Sequence, residues 1–396
     1  MHGKKRSILA FLAICISLLT AWQTRISAQA TPTPIITERP NTLGPTFAAN
    51  VNPLTGLTVN DAAVLNRRPI IVKISNSPPD VRPQAGLGLA DMVYEHYTEL
   101  GITRFSAIFL TNAPERVGSI RSARLIDYEL APMYQAILAF AGASIGVDKR
   151  IYGTEFVVRY LCADRDDQAV CQQEARAIGP VGDIPPSDFV DRAYKGTYYG
   201  APMFFRDETI PAPHNLFANL EVLWAQAERD GNGGKPVIQG MRFNATPPTG
   251  EAGSGIYAQI RYLTTTAEWY YDAATNLYYR STDGERHFDG LTNEQVRADN
   301  VLIVYAGHYL TDIIESGGGD NINWSEQITI WTQGKAILLR DGKRYEVIWK
   351  RETRPELLTL WTSEGVPVEL KPGQTWVQVV RLEEQMDVSN EWVIVQ

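Results

Sequence analysis

The sequence predicts an α/β amino-terminal domain, a mixed sheet with flanking helices, followed by a mainly antiparallel β carboxy-terminal domain of the α+β type. In the first half, β-branched strand patterns alternate with helical segments, which favours an α/β layer. In the second half, strand patterns follow one another closely with turn dipeptides between them. The glycine-rich run Gly231–Gly234 separates these two sequence patterns. We therefore assign residues 51–230 to the α/β domain and 235–396 to the β-rich domain.

The first thirty residues have the pattern of a secretory signal peptide. Three cations at Lys4–Arg6 precede the apolar run Ile8–Trp22, and Ala28–Ala30 gives the small-x-small motif that signal peptidase requires. Since the run is shorter than the roughly 20 residues of a spanning helix, cleavage is favoured over a retained anchor. Lipidation at Cys15 is a third alternative, although Ile14 precedes that cysteine and the apolar run continues beyond it. All three alternatives predict an extracytoplasmic protein that is secreted or associated with the cell envelope.

The charge of the chain argues against nucleic-acid binding. Loss of residues 1–30 removes four cations and changes the net charge from −8 to −12, whereas non-specific nucleic-acid binding requires a basic surface. Residues 31–50 begin Thr-Pro-Thr-Pro and predict an extended linker. No later segment is long and apolar enough to span a bilayer, so we expect membrane contact only through the amino-terminal segment.

Strand and helix patterns can be placed along both halves. In the first half, Pro69–Ser75 and Ile102–Leu110 predict strands, and Ala123–Leu138 predicts a helix with Ser122 as its N-cap. Residues from Ile137 to Ala143 are equally compatible with a strand. Strands are also predicted at the following segments of the second half: Ile256–Leu263, Glu268–Asp272, Leu277–Arg280, Val301–Tyr305, Gln327–Trp331, Lys335–Leu339, Arg344–Lys350 and Thr375–Val380.

The densest candidate site is a group of arginines around the predicted helix start. Arg121 and Arg124 share a face on a helical turn, and Arg104 lies on the preceding strand. Guanidinium groups bind phosphate or carboxylate in bidentate fashion, and a helix N-terminus attracts anions. The sequence therefore predicts an anion pocket formed by these arginines with Ser122, with Arg82 as a further candidate member. The structural alternative pairs Arg124 with Asp127, and Arg104 with Glu95 or Glu99.

Other candidate residues are weaker. Asp91 begins an acidic series at spacing four that would suit a divalent cation, although a solvated acidic face explains it equally simply. His214 and Asn215, beside aromatic residues, would line a pocket, or else serve as structural hydrogen-bonding groups. Cys162 and Cys171 invite a disulfide in an oxidising compartment, with two independent thiols as the alternative.

Several stretches carry a family resemblance. They are NPLTGL (52–57), RPIIVKISN (68–76), RPQAGLGLADMVYE (82–95), GITRFSAIF (101–109), VGSIRSAR (117–124), PHNLF (213–217), YYD…LYYR…H.D (270–289) and PGQTW (372–376). Together they resemble the YerB-like family of exported bacterial proteins, a domain-of-unknown-function family with amino- and carboxy-terminal parts. The resemblance implies an extracytoplasmic, often lipid-anchored protein without a settled activity.

Three functions remain open. The main hypothesis is an envelope protein that binds an anionic ligand or an envelope protein through its arginines, without a cofactor. The strand order leading into Ser119-Ile120-Arg121 is also similar to that of the LytR-CpsA-Psr phosphotransferases, which act on polyprenyl-pyrophosphate-linked glycans. That similarity would place Mg²⁺ near Asp91 and pyrophosphate near the arginines. The third hypothesis is a structural scaffold. Because no nucleophile motif such as GxSxG or HExxH is present, binding is favoured over catalysis.

Overall fold

The computed structural model describes residues 46–163, 165–318 and 320–396. The predicted signal peptide (1–30), with Cys15, and residues 31–45 of the predicted linker lie outside the described residues. Within the described ranges, no helix has the length and apolar character needed to cross a membrane.

Helices are concentrated in the first half and strands in the second. The helices are α1 (Leu125–Met133), α2 (Ile145–Tyr152), α3 (Thr154–Cys162), α4 (Gln168–Ala177) and α5 (Leu220–Arg229). The strands of the first half are β1 (Ile70–Ser75), β2 (Met92–Tyr97), β3 (Thr103–Phe109), β4 (Val117–Gly118), β5 (Ile137–Phe140), β6 (Ala193–Lys195), β7 (Phe204–Arg206) and β8 (Leu216–Ala218). Those of the second half are β9 (Gly253–Ser254), β10 (Tyr257–Arg261), β11 (Thr266–Asp272), β12 (Leu277–Thr282), β13 (Glu285–Arg286), β14 (Arg297–Ala298), β15 (Asn300–Gly318), β16 (Asn321–Thr329), β17 (Thr332–Arg340), β18 (Lys343–Arg351), β19 (Thr359–Trp361), β20 (Thr375–Arg381) and β21 (Trp392–Val395).

One large sheet contains strands from both halves. Its order is β19-β18-β17-β15-β20-β2-β3-β1-β5-β6, with β16 added beside β15 and β9 beside β18. The halves meet where β2 pairs in parallel with β20, Met92 opposite Thr375. Strands β10 to β14 and β21 form a second sheet, and β4, β8 and β7 a third. The predicted fold class is confirmed: a mixed sheet with helices in the first half and mainly antiparallel strands in the second.

Apolar cores cover both faces of the large sheet. Along β1, Ile71 contributes to a core that includes Leu130 of α1 and Val147 of α2. Its neighbours Ile70 and Val72 contribute to a second core that contains α5 and the second sheet. Because successive side chains of a strand point to opposite faces, β1 is buried along its whole length. This packing fixes the positions of the strand ends that form the candidate site.

The structure differs from the expected elements at two places that matter for the site. Helix α1 begins at Leu125 and ends at Met133, because Gln135 adopts a left-handed φ of 47° that turns the chain out of the helix. The following residues then form β5, the strand alternative. In the second half, β15 extends to Gly318, far beyond the predicted Val301–Tyr305, and forms a long hairpin with β16. We call residues 309–327 the hairpin arm.

Candidate functional site

The candidate site lies at the carboxyl ends of the parallel strands β1, β5 and β6. The segment 119–124 fits between β1 and β5: the Arg121 N–H donates to the Lys73 carbonyl, and its own carbonyl accepts from the Ala141 N–H. The Ala123 N–H in turn donates to the Gly142 carbonyl. This backbone pairing fixes the direction in which the arginines leave the chain.

The structure brings Arg104 and Arg124 together through a shared carboxylate. Arg124 Nε donates to Glu99 Oε2 at 2.6 Å, and its Nη2 contacts the other carboxylate oxygen. Arg104 Nη2 lies 3.5 Å from the same Glu99 Oε1, and Arg104 Nη1 donates to the Ser122 carbonyl at 2.9 Å. The alternative in which Arg104 pairs with Glu99 is thus present in the structure, and Glu99 also pairs with Arg124.

A second carboxylate reaches the cluster from the hairpin arm. Glu315 Oε2 lies 3.4 Å from Arg124 Nε, and the Glu315 side chain is 1% exposed. Ile313 of the same arm packs on the start of α2. A Cβ atom added to Gly146 of that helix would lie only 2.5 Å from Ile313 Cγ2. Sequence reasoning missed Glu315, since nothing local marks a contact with an arginine far away in the chain.

The start of α1 is already occupied by a carboxylate of the chain itself. The Arg124 N–H donates to Asp127 Oδ2 at 2.7 Å, and Arg124, rather than Ser122, is the N-cap residue. Asp127 also accepts from the buried Lys73 Nζ at 2.9 Å. The predicted role of this helix N-terminus as the anion seat is therefore corrected: Asp127 fills it, and the guanidinium groups remain as the candidate binding groups.

Electrostatics shows that the cluster is short of negative charge. Burial, together with the charges on Arg124 and Arg121, lowers the pKa of Arg104 to about 9. Burial raises the pKa of Glu99, but the hydrogen bond and charge of Arg124 and the charge of Arg104 outweigh it and bring that pKa to about 2. Burial and the Arg124 charge also lower the pKa of Arg121, against the opposite effect of the Glu99 charge. A further anion would relieve this repulsion.

Arg121 differs from its two neighbours in having no carboxylate partner. Among the described residues it forms no ion pair, and its Nη1 donates only a long 3.4 Å hydrogen bond to the Pro213 carbonyl. Its buried Nε has no partner in the described part of the chain. The guanidinium is half-buried, so one side of it faces solvent.

Further polar groups surround the arginines. Lys195 Nζ pairs with Asp148 Oδ2 at 2.6 Å, and a Cβ added to Gly142 would lie 4.0 Å from both Lys195 Cε and Ser122 Oγ. Burial and the charge of Glu315 raise the pKa of Asp148, against the effect of Lys195. Several buried polar atoms of this region lack a hydrogen-bond partner in the described residues: Ser119 Oγ, Arg121 Nε, Asp148 Oδ1, His214 Nδ1 and both carboxylate oxygens of Glu315.

His214 borders the site, whereas Asn215 has a structural contact. Burial and the charge of Arg121 lower the pKa of His214, and Asp80 acts in the opposite direction. Because Arg121 Nη1 donates to the carbonyl of Pro213, the preceding residue, His214 lies near Arg121. Asn215 is buried, and its Oδ1 accepts from Arg206 Nη1 at 2.6 Å.

Comparisons with known proteins show the family to which the chain belongs. Residues 54–233 match the amino-terminal domain of a protein family of unknown function (DUF3048), and residues 258–377 match its carboxy-terminal domain. The chain belongs to the two-part DUF3048 family. It is 28% identical over 332 residues to the putative lipoprotein YerB of Bacillus subtilis (strain 168), covering 83% of this chain and 85% of the relative. It also resembles the crystal structure of the YerB protein from Bacillus subtilis, with a TM-score of 0.65, 26% identity and coverage of 87% of this chain and 99% of that one.

Many motif residues of the DUF3048 resemblance form a buried polar network between the two halves. Glu95 pairs with Arg280 at 2.7 Å, both side chains being 0% exposed. His287 Nε2 lies 2.7 Å from Gln84 Oε1, and Asn76 Nδ2 donates to Glu95 Oε1 at 3.1 Å. These motif residues therefore help to join the two halves of the fold.

Arg82 and Asp91 also have structural roles in this DUF3048 chain. Arg82 pairs with Asp283 at 2.6 Å and does not contact the arginine cluster, so its predicted place in the anion pocket is corrected. Asp91 accepts hydrogen bonds from Asn52 and Thr111 side chains on Oδ1, and from the Leu110 and Thr111 N–H groups on Oδ2. No group of three or more potential metal ligands occurs in the described residues. The structure thus assigns Asp91 to loop anchoring in place of the predicted metal role.

The predicted cysteine pair is bonded in the structure. Cys162 ends α3 and Cys171 lies in α4, with Cα atoms 5.7 Å apart. The disulfide joins these two helices of the DUF3048 amino-terminal part next to the small apolar cluster of Val158 and Ala175.

Proposed function

We propose that this protein works outside the cytoplasm and binds a ligand that carries a phosphate or carboxylate group, with Arg121 as the principal contact. The location is supported by the leader pattern of residues 1–30, by the disulfide of Cys162 and Cys171, and by the similarity to a putative lipoprotein. Alkylation of thiols before and after reduction, in protein taken from intact cells, tests the location: the cysteines should react only after reduction.

The observation that carries the binding proposal is the imbalance of charge at the cluster. Arg104, Arg121 and Arg124 face two carboxylates, Glu99 and Glu315, and Arg121 has no ion-pair partner among the described residues. A half-buried guanidinium without a counter-charge gains most from an incoming anion, because the partly desolvated site strengthens a charge-assisted hydrogen bond.

The neighbours of Arg121 would complete the contact. The Ser122 hydroxyl would donate a hydrogen bond to an oxyanion, and Lys195 adds a second cation held by Asp148. His214, whose pKa is lowered, is neutral at pH 7 and would donate through one ring nitrogen without adding charge. Arg104 and Arg124 would act without contacting the ligand. They would pair with Glu99, which keeps this carboxylate away from Arg121, and they would contribute positive potential.

Calorimetric titration with inorganic phosphate and with pyrophosphate tests the proposal. We expect saturable binding that Arg121→Gln weakens by about 10- to 100-fold, the loss that follows from one charge-assisted hydrogen bond. Arg297→Gln is the matched control, since Arg297 is 50% exposed and lies in the other half of the chain. Absence of binding, or equal weakening by both substitutions, would refute the proposal and favour the scaffold hypothesis.

A further inference from the structure

A group of exposed aromatic rings lies beside the charged site. Phe156 and Tyr160 are four residues apart on α3 and share a face, with 41% and 56% exposure. Tyr198, from the loop after β6, is 37% exposed and completes the group. We call Phe156, Tyr160 and Tyr198 the aromatic platform.

Mutual packing holds the platform in place without covering it. The ring centroids of Tyr160 and Tyr198 are 5.2 Å apart, those of Phe156 and Tyr198 6.0 Å, and both pairs meet edge to face. Phe156 also stacks on the buried Tyr152 at 4.7 Å. Three large rings that are pre-ordered yet remain accessible offer an apolar aromatic surface at low conformational cost.

The platform is continuous with the cationic site through Lys195. Lys195 Nζ lies 4.8 Å from the Tyr198 ring centroid and 5.9 Å from that of Tyr160, and it also pairs with Asp148. Asp148 Oδ1 is buried and has no hydrogen-bond partner in the described part of the chain. Lys195 thus contacts both the rings and the residue with the unfilled acceptor, and a Cβ added to Gly142 would lie 4.0 Å from Lys195 Cε and from Ser122 Oγ, the residue next to Arg121.

We propose that the ligand is an anionic saccharide, that is, a glycan carrying a carboxylate or phosphate group. A sugar ring has an apolar C–H face that packs on aromatic rings, and hydroxyl groups at its edge that need acceptors such as Asp148 Oδ1. The anionic group then reaches Arg121. An apolar peptide would fit the rings but would leave Arg121 and Asp148 Oδ1 without partners. This inference rests on the proposed function and extends it to a ligand class.

Affinity measurements on the full chain with defined sugars test the inference. The probes are glucose 1-phosphate and tetragalacturonate, compared with inorganic phosphate and with the neutral methyl ester of tetragalacturonate. We expect Tyr160→Ala to weaken the binding of at least one anionic sugar by about tenfold, because an aromatic contact is lost. The substitution should leave phosphate binding unchanged. Tyr309→Ala is the matched control, because Tyr309 is 53% exposed on the hairpin arm and should affect neither.

The outcomes separate this inference from the proposed function. Phosphate binding that depends on Arg121, combined with sugar binding that is insensitive to Tyr160→Ala, overturns the saccharide inference alone. Equal binding of the neutral ester overturns it as well, because the anionic group would then contribute nothing. Failure of phosphate to bind in an Arg121-dependent manner overturns the proposed function itself.

Discussion

Replacement of Glu99 by glutamine removes the carboxylate that Arg104 and Arg124 share. Glu99 is 9% exposed, and its pKa lies near 2 instead of the ordinary 4.5. Because a tenfold change in proton affinity corresponds to about 1.4 kcal/mol, this depression is worth about 3 kcal/mol of folding free energy at pH 7. Glu99→Gln should therefore lower the free energy of unfolding at pH 7 by about that amount.

The sign of the pH dependence follows from the depressed pKa. A carboxyl group with a lowered folded-state pKa stabilises the protein fully above its unfolded pKa of about 4.5, and the stabilisation is lost as the pH falls towards 2. The difference between wild type and Glu99→Gln should shrink to about 1.4 kcal/mol at pH 3. Urea unfolding followed by circular dichroism at pH 7 and pH 3 measures both values.

A matched control and a rescue make this prediction specific. Glu155 is 76% exposed and pairs with Arg176 at the surface, so Glu155→Gln should cause no measurable change. Phosphate should restore part of the stability lost in Glu99→Gln, because an anion that binds only the folded state stabilises it. A loss below about 1 kcal/mol at pH 7, or an equal loss at both pH values, would show that the ionised Glu99 carboxylate does not stabilise the fold in this way.

Three further predictions concern the scaffold that holds the site. Arg280→Met leaves Glu95 buried without its counter-ion and should cost roughly 3–5 kcal/mol in urea unfolding; a cost below about 1 kcal/mol would contradict the role assigned to the network. Breaking the Cys162–Cys171 disulfide, which closes a short loop with a sequence separation of 9, should cost roughly 2–3 kcal/mol, and an unfolding midpoint that reductant leaves unchanged would contradict this. Gly342→Ala should destabilise more than Gly284→Ala, since both glycines have positive φ but only the first would place its Cβ 2.6 Å from Tyr271; equal melting temperatures would show that this contact relaxes freely.

The sequence predicts the second half well where turn chemistry and strand patterns agree. Asp341 and Gly342 adopt φ of 54° and 70°, as a tight hairpin requires, and join β17 to β18 with Arg340 opposite Lys343. The full extent of β15 could not be predicted, because Tyr309 and Leu310 are exposed and the burial pattern that marks a strand ends there. Pairing with β16 supplies the hydrogen bonds that continue this strand.

The candidate site was predicted only in part, and for a physical reason. The sequence predicts that Arg104, Arg121 and Arg124 lie near each other, but the predicted reason, a shared helical face of Arg121 and Arg124, is wrong because α1 begins only at Leu125. Glu315 and Lys195 reach the same site from distant segments through the hairpin arm and the parallel strand β6. Contacts of that kind depend on tertiary packing and leave no periodic signal in a single sequence.

The most direct test of the central claim is a crystal structure of the full chain with phosphate, or with tungstate as its anomalous analogue. We expect an anion within hydrogen-bonding distance of the Arg121 guanidinium, with the Arg104 and Arg124 ion pairs to Glu99 intact. An Arg121 side chain paired with a carboxylate of the chain, or an anion bound only elsewhere, would contradict it.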